Sequence, residues 1–381
     1  MMEQSAKRLE ELDSNMAASP VLETDDICYY DVRKPPFSIY GLHDPTTEPA
    51  FKRMPDEVAS AVSEGVKSLA LHPAGGRVRF STDSPFVAIK AVMPSVRSSG
   101  ILSLPGMAGL DLYIDSPDGS ESRFHRLFLP PVGMTDGYES QLPFYEKEQH
   151  LADGMRFLTV HLPPYNPLTS LYIGVKKGAR IDIGAPYRSF APVVYYGSSI
   201  TQGACASRPG NAYPNMVSRA IGIDYRNFGF SGNAKGEEPM REYLASLEMS
   251  AFVSDYDHNA TTDVLRATHK KLYDAIRASH PDIPYIMLSR PDPFRITAAF
   301  GDSEQSNVRR HIILDTFHEA VANGDRNVFF VDGESLFRGP FEADCTVDGT
   351  HPNDLGFMYM ADALIAVFKR LLRDGTMKPN L

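Results

Sequence analysis

Two stretches of the chain carry side chains that can do chemistry together. The turn Gly197-Ser198-Ser199-Ile200-Thr201-Gln202-Gly203 follows directly on the apolar run Val193-Val194-Tyr195-Tyr196. Far downstream, Asp348-Gly349-Thr350-His351-Pro352 stands just before a final helix-like segment. A serine hydroxyl is a weak nucleophile at its own pKa and needs a base to take its proton. Histidine suits that task because its pKa lies near operating pH, and a carboxylate fixes the imidazole tautomer and stabilises the imidazolium. Asp348 and His351, three apart ahead of a helix, fall on one edge of a tight turn, so base and orienter arrive in one piece. Serines in turns are ordinary helix caps, so the whole set carries the reading and no single serine does.

The segments between these stretches supply the remaining parts. Gly229, Ser231, Gly232 and Asn233 follow a second strand-like run, and Asp255, Asp257, His258 and Asn259 follow a third. A tetrahedral oxyanion needs preorganised donors, and losing one typically costs about 100- to 1000-fold in turnover. The backbone N–H groups of Ser199 and Gly232 and the side-chain amide of Asn259 are the candidate donors. Nucleophile, donors, base and orienter together are the requirements of serine acyl transfer. Rivals within the set are His258, beside Asp257, as a second base, and Cys205, six residues after Ser199, as a thiol; structural roles are the expectation for both.

These residues need elements to hold them. From Val193 onward strand-like and helix-like runs alternate strictly: Val193–Tyr196, Asn211–Ile221, Asp224–Phe228, Glu237–Leu247, Met249–Ser254, Thr262–Ser279, Tyr285–Ser289, Ile312–Ala322, Val328–Val331 and Asn353–Leu372. Leu265, Thr268, Leu272, Ala275 and Ile276 recur at helical spacing. Alternation of this kind predicts a doubly wound parallel sheet of five strands, with functional residues at the carboxyl ends. All the candidate residues stand just after a predicted strand or just before the last helix.

Residues 24–188 have a different texture. Short apolar or alternating runs (Val78–Phe80, Phe86–Val92, Leu110–Ile114, Phe124–Leu129, Phe157–Leu162, Leu171–Val175) are separated by turn signals such as Asp115-Ser116-Pro117-Asp118-Gly119. This spacing predicts an antiparallel β-sandwich, jelly-roll-like. Residues 1–23 read as a polar leader with a short helix over Ser5–Leu12, and residues 189–381 as the α/β domain, joined through the proline-rich Pro186–Pro192.

With 43% hydrophobic residues over 381, the chain can bury real cores. Its net charge of −10 argues against nucleic-acid or anionic-membrane partners, which require a basic face. Cys28, Cys205 and Cys345 form neither a CxxC pair nor a disulfide framework. No histidine spacing suits zinc, and no glycine pattern suits a dinucleotide, so no cofactor is expected. The N-terminus lacks the apolar core of a signal peptide, and no apolar run is long enough to span a bilayer. A cytoplasmic location is the expectation.

The ordered set resembles the SGNH, or GDSL-type, hydrolases, a family of esterases with a flavodoxin-like sheet. Gly197–Gly203 is similar to the family's first block, usually Gly-Asp-Ser followed by Thr and Gly. That resemblance implies Ser199, not Ser198, as nucleophile. Asn227-Phe228-Gly229-Phe230-Ser231-Gly232 resembles the second block and implies Gly232 as an oxyanion donor. Asp348-Gly349-Thr350-His351-Pro352 matches the last block and implies the Asp348–His351 pair. Two positions depart from the pattern. Ser198 stands where aspartate is usual, and the third block, usually Gly-x-Asn-Asp, reads Asp255-Tyr256-Asp257-His258-Asn259, aligning Asn259 with the family's asparagine. A preceding β-sandwich is similar to the layout of some bacterial carbohydrate acetylesterases. The resemblance implies a serine esterase that removes short acyl groups, acetyl foremost, from a small-molecule or oligosaccharide ester. Longer acyl esters or thioesters, or carbohydrate binding without catalysis, are the alternatives. Homo-oligomerisation stays open.

Overall fold

The computed structural model of the protein describes residues 8–17, 25–144, 154–291 and 303–380. Residues 1–7 and 18–23 of the expected polar leader lie outside the described residues; between them Leu9–Leu12 (α1) forms one helical turn.

The first half builds two antiparallel sheets. One contains β1 (Ile27–Asp31), β9 (Ser170–Lys176), β4 (Phe86–Val92) and β7 (Gly137–Pro143), in that spatial order. The other runs β10 (Ile181–Ile183), β3 (Arg77–Thr82), β8 (Arg156–His161), β5 (Leu110–Asp115) and β6 (Ser122–Phe128), with β2 (Ser38–Tyr40) also pairing β3. Alternate residues point inward: Val78, Phe80, Val87, Ile89, Leu110, Leu112, Leu158, Val160, Leu171 and Ile173 are fully buried between the sheets. The expected sandwich is present.

The β texture concealed two helices in this half. Asp56–Val62 (α2) and Glu64–Ala70 (α3) lie between β2 and β3, and Ser63 Oγ caps α3 by accepting from the Val66 N–H at 3.1 Å. Their apolar face, Ala59, Val66, Leu69 and Ala70, does not enter the sandwich core. It packs with Phe228, Phe230, Met240 and Leu244 of the second half. Leu104–Ala108 (α4) is a further short helix, capped by Ser103.

The second half is the doubly wound sheet. Its strands are β11 (Val193–Gly197), β12 (Tyr225–Gly229), β13 (Ala251–Asp255), β14 (Tyr285–Leu288) and β15 (Val328–Val331). All are parallel and ordered β12-β11-β13-β14-β15, the flavodoxin-like order. Strand β11, interior to the sheet between β12 and β13, is buried on both faces, as its unbroken apolar run predicts. Val193 and Tyr195 face α6 (Tyr213–Ile221) and α10 (Asp354–Arg373). Val194 and Tyr196 face α7 (Glu238–Ser246), α8 (Thr262–Ser279) and α9 (Ser303–Ala322). Among the described residues no helix is long and apolar enough to cross a membrane.

One edge of this sheet is sealed by the first half. The outward carbonyls of β12 accept from guanidinium groups instead of another strand. Arg77 of β3 donates to Tyr225 O at 3.3 Å, and Arg53 donates to Asn227 O at 3.1 Å and to Gly229 O. Both arginines are essentially without solvent exposure. An open strand edge invites pairing with another chain, and the two arginines remove that possibility here.

Candidate active site

Strand β11 ends at Gly197, and the chain turns at once into the single helical turn α5 (Ser199–Gln202). A Cβ on Gly197 would collide with Thr201 Oγ1 and with the Asp255 carbonyl, so the turn has room only for glycine. Ser198 is the N-cap: its Oγ accepts from the Ile200 N–H at 3.2 Å, while its own N–H donates to Asp255 O at 3.0 Å. The unusual serine at this position therefore works as a cap. Gly203 closes the turn at φ +109°.

The serine and histidine stretches meet. Ser199 Oγ lies 3.0 Å from His351 Nε2, and His351 Nδ1 lies 2.8 Å from Asp348 Oδ2. Because a carboxylate can only accept, the proton is assigned to Nδ1, which leaves the Nε2 lone pair facing the serine. Asp348 Oδ1 accepts from the N–H groups of Thr350 (3.0 Å) and His351 (2.8 Å). Burial alone would raise the Asp348 pKa. The His351 N–H, the His351 ring and the Thr350 N–H outweigh it and hold the carboxyl below its ordinary value. The turn closes on itself: Val347 N–H donates to His351 O at 2.9 Å, and Gly349 supplies the positive φ of +83°. Asn353 then caps α10 through Leu355 and Gly356. Ser199 is 6% exposed, so the serine is largely covered by the residues around it.

Of the three candidate oxyanion donors, Ser199 N–H is the first of its helix and has no intrahelical acceptor. Gly232 lies in the turn after β12 at φ +71°, with open space where a Cβ would stand. It is the backbone conformation and not crowding that calls for glycine there. Asn259 Oδ1 accepts from the Ala234 N–H at 3.3 Å, which fixes the amide orientation and leaves Nδ2 without an acceptor among the described residues. Gly232 and Asn259 are thus tied together through Ala234.

The rivals take structural places. Asp255 turns beneath the serine turn, where its Oδ2 accepts from Thr201 Oγ1 at 2.9 Å and Tyr213 OH at 3.1 Å. Burial, and then the neighbouring Asp257, raise its pKa well above the carboxylate range. Asp257 accepts from the Arg290 N–H at 3.0 Å. His258 is kept neutral by burial, with Arg290 and His351 adding to the effect. Cys205 is pushed up to about 11 by burial and then by Asp348, so it remains a thiol. The loop after β14 is described only through Pro291; Asp292 and Pro293 lie outside the described residues.

Sequence reading missed the contribution of β5. Asp111, fully buried, accepts at Oδ2 from Arg208 Nη1 and from the Gly210 N–H, each at 2.8 Å. Tyr113 OH also meets Arg208, whose guanidinium lies 3.8 Å from the Phe124 ring centroid. This pins the segment that follows α5 onto the sandwich.

A serine at the carboxyl end of the first strand of a flavodoxin-ordered sheet, hydrogen-bonded to a histidine that bonds an aspartate, defines an esterase of the SGNH class. Comparison with known proteins agrees. Residues 191–369 match the GDSL-like lipase/acylhydrolase family, and residues 27–181 match the N-terminal domain of SGNH hydrolase-type esterases. The Gly-x-Asp-Leu-Tyr pattern of that domain is met by Gly109-Leu110-Asp111-Leu112-Tyr113. A putative GDSL-like lipase from Bacteroides ovatus is 30% identical, with a TM-score of 0.79, over 91% of this chain and 98% of that one. The salicylyl-acyltransferase SsfX3 of a tetracycline biosynthetic pathway shares the fold at 19% identity and TM-score 0.71, over 91% and 97%. So does a family two carbohydrate esterase from Clostridium thermocellum at 13% and 0.58, over 89% and 99%. A search of curated proteins finds no match. The chain belongs to the GDSL-like lipase/acylhydrolase family.

Proposed function

We propose that the protein hydrolyses short acyl esters, acetyl foremost, carried on a carbohydrate, through Ser199, His351 and Asp348. The observation that carries this reading is the continuous hydrogen-bonded line from Ser199 Oγ through His351 to Asp348. In the reaction Ser199 Oγ attacks the ester carbonyl carbon while His351 Nε2 takes the hydroxyl proton. The carbonyl oxygen becomes an oxyanion facing the Ser199 and Gly232 N–H groups and Asn259 Nδ2. Collapse breaks the bond to the alcohol oxygen, which takes the proton from His351. Water then repeats the sequence on the acyl-serine and releases the acid. Asp348 holds the Nδ1–H tautomer throughout.

Support for a carbohydrate alcohol comes from structural neighbours that are family two carbohydrate esterases, one of them in complex with cellohexaose. The test is hydrolysis of an aryl acetate by wild type and Ser199→Ala, with a butyrate-to-octanoate series alongside. The expected result is loss of acetate turnover by about 10,000-fold or more in the variant, the scale of losing a triad nucleophile, and steep decline with chain length in the wild type. Equal turnover by both proteins would remove Ser199 from the mechanism. A rate that rises with chain length would replace the acetyl reading with a lipolytic one.

A further inference from the structure

The side chains that fix the two oxyanion-bearing turns relative to one another are not the triad: Gln202 and Asn227 belong to the α/β half, and His72, Tyr165 and Arg53 to the first half. Gln202, the last residue of α5, spans the gap. Its Oε1 accepts from the Ser231 N–H at 3.0 Å, one residue before Gly232. Its Nε2 donates to Pro164 O at 2.9 Å and lies 3.5 Å from His72 Nδ1. The next residue of the sandwich loop, Tyr165, donates its hydroxyl to Ser199 O at 3.2 Å. Gln202 is 1% exposed and His72 1%, so solvent cannot substitute for these bonds.

A second layer holds the same two turns from behind. Asn227 of β12 donates from Nδ2 to Thr201 O at 2.7 Å, and its Oδ1 accepts from the Gly229 N–H at 2.8 Å. Arg53, anchored on Leu69 O at 2.7 Å, grips the Asn227 and Gly229 carbonyls and lies 4.4 Å from the Phe230 ring centroid. A Cβ on Gly229 would strike the Gln202 backbone, so the two turns are already in contact where they leave the sheet. Beyond that contact, Phe230 N–H donates to Gly197 O at 2.8 Å and Ala234 N–H to Asn259 Oδ1, and Gln202 is the side chain that ties Ser231, next to Gly232, to the serine turn. Burial keeps His72 neutral, and a neutral Nδ1 accepts from the amide where a protonated one would repel it.

We propose that Gln202 and Tyr165 are positioning residues that set the distance between the Ser199 and Gly232 N–H groups, so that the β-sandwich contributes directly to turnover. The inference rests on the serine-esterase reading above. Neither side chain touches the substrate in this scheme; both act through the donors. An oxyanion hole works only if its donors are fixed before charge develops, and a misplacement of about 1 Å can cost about 100-fold.

The test uses the full chain with Tyr165→Phe, Gln202→Met and the double variant, aryl acetate as substrate and phenylboronic acid as inhibitor. The boronate adduct is tetrahedral and anionic, so its affinity reports the donors. Expected are a kcat lower by about tenfold for Tyr165→Phe and about 100-fold for Gln202→Met, with KM unchanged and boronate affinity falling in step. The double variant should lose less than the product of the two, since both set the same distance between the two turns. Wild-type kcat and boronate affinity in the variants would overturn the proposal, as would a rise in KM alone. If Gln202→Met does not fold, Tyr165→Phe decides, because it removes one oxygen and no carbon. Ser199→Ala run in parallel separates the two readings: full activity there removes the esterase reading and this inference together. Loss there with unaltered Tyr165→Phe and Gln202→Met removes the inference alone.

Discussion

The two halves of the candidate site are built on opposite plans. The base half, Asp348 and His351, is one short turn whose bonds run between residues 344 and 356. The oxyanion half gathers Ser199, Gly232 and Asn259 from the ends of three strands. It is held by Tyr165, Gln202 and Arg53, whose bonds reach as far as 176 positions along the chain. A proton relay needs two groups at fixed distance, which a turn can provide. Stabilising a developing charge needs donors converging from different directions, which no single turn can provide.

The halves differ in acid as well. Asp348 is held below its ordinary pKa, so whatever its pairing contributes to stability is present above the unfolded value and is lost only as pH falls through the lower folded value. His72, beside Gln202, is pushed down to about 3 by burial and then by the charges of Arg53 and Arg97. As pH falls below about 6.5 the unfolded chain binds a proton there that the folded chain refuses, so folding weakens progressively towards pH 3.

Three substitutions bear on this contrast. The largest effect belongs to the base half. Asp348→Asn should reverse the His351 tautomer and lower kcat by about 1,000- to 10,000-fold with an unchanged fold by circular dichroism. A loss below tenfold would mean that the turn alone orients the ring. Next, Asn259→Ala should lower kcat by about 100- to 1000-fold and weaken phenylboronic acid to a similar degree. Boronate binding at wild-type strength would take Asn259 out of the oxyanion half and leave that half with backbone donors only. The smallest effect is visible only as a slope. The stability difference between wild type and His72→Gln, followed by denaturant unfolding from pH 6 to pH 4, should move against wild type by about 1.4 kcal/mol per pH unit. Parallel curves would show that His72 titrates alike in the folded and unfolded chain.

The same contrast explains what the sequence disclosed. The pairing of Asp348 with His351 was legible because it is contained in their spacing. The place of Ser199 and Gly232 at the carboxyl edge of the parallel sheet was legible from strand-then-turn patterns, while the choice of Ser199 over Ser198 came from the resemblance to the SGNH hydrolases. The five strands of a doubly wound parallel sheet followed from alternation, and their flavodoxin-like order from the resemblance to the SGNH hydrolases. The supporting side chains were not legible. Asp111 alternates with Leu110 and Leu112 and reads as an outward, solvated residue; it is fully buried because that outer face is covered by the other half of the molecule. Arg53 and Arg77 read as surface charge for the same reason. Helices α2 and α3 were hidden because their buried face is small, Ala59, Val66, Leu69 and Ala70, and its partners lie more than 150 positions away in Phe228 and beyond. Periodicity reports which residues are buried, not what buries them.

The guanidinium seal on β12 also bears on modularity. A gene fragment starting at residue 189 would encode every strand of the parallel sheet and every group of the triad. The expressed fragment would present the carbonyls of Tyr225, Asn227 and Gly229 as a bare row, next to the apolar patch of Phe228, Phe230 and Met240 that α2 and α3 had covered. Such an edge is a template for a neighbouring copy. The sandwich and the α/β half are in this sense a single inheritance unit: recombination at the proline-rich joint could exchange neither without supplying the two arginines, or a strand, in their place.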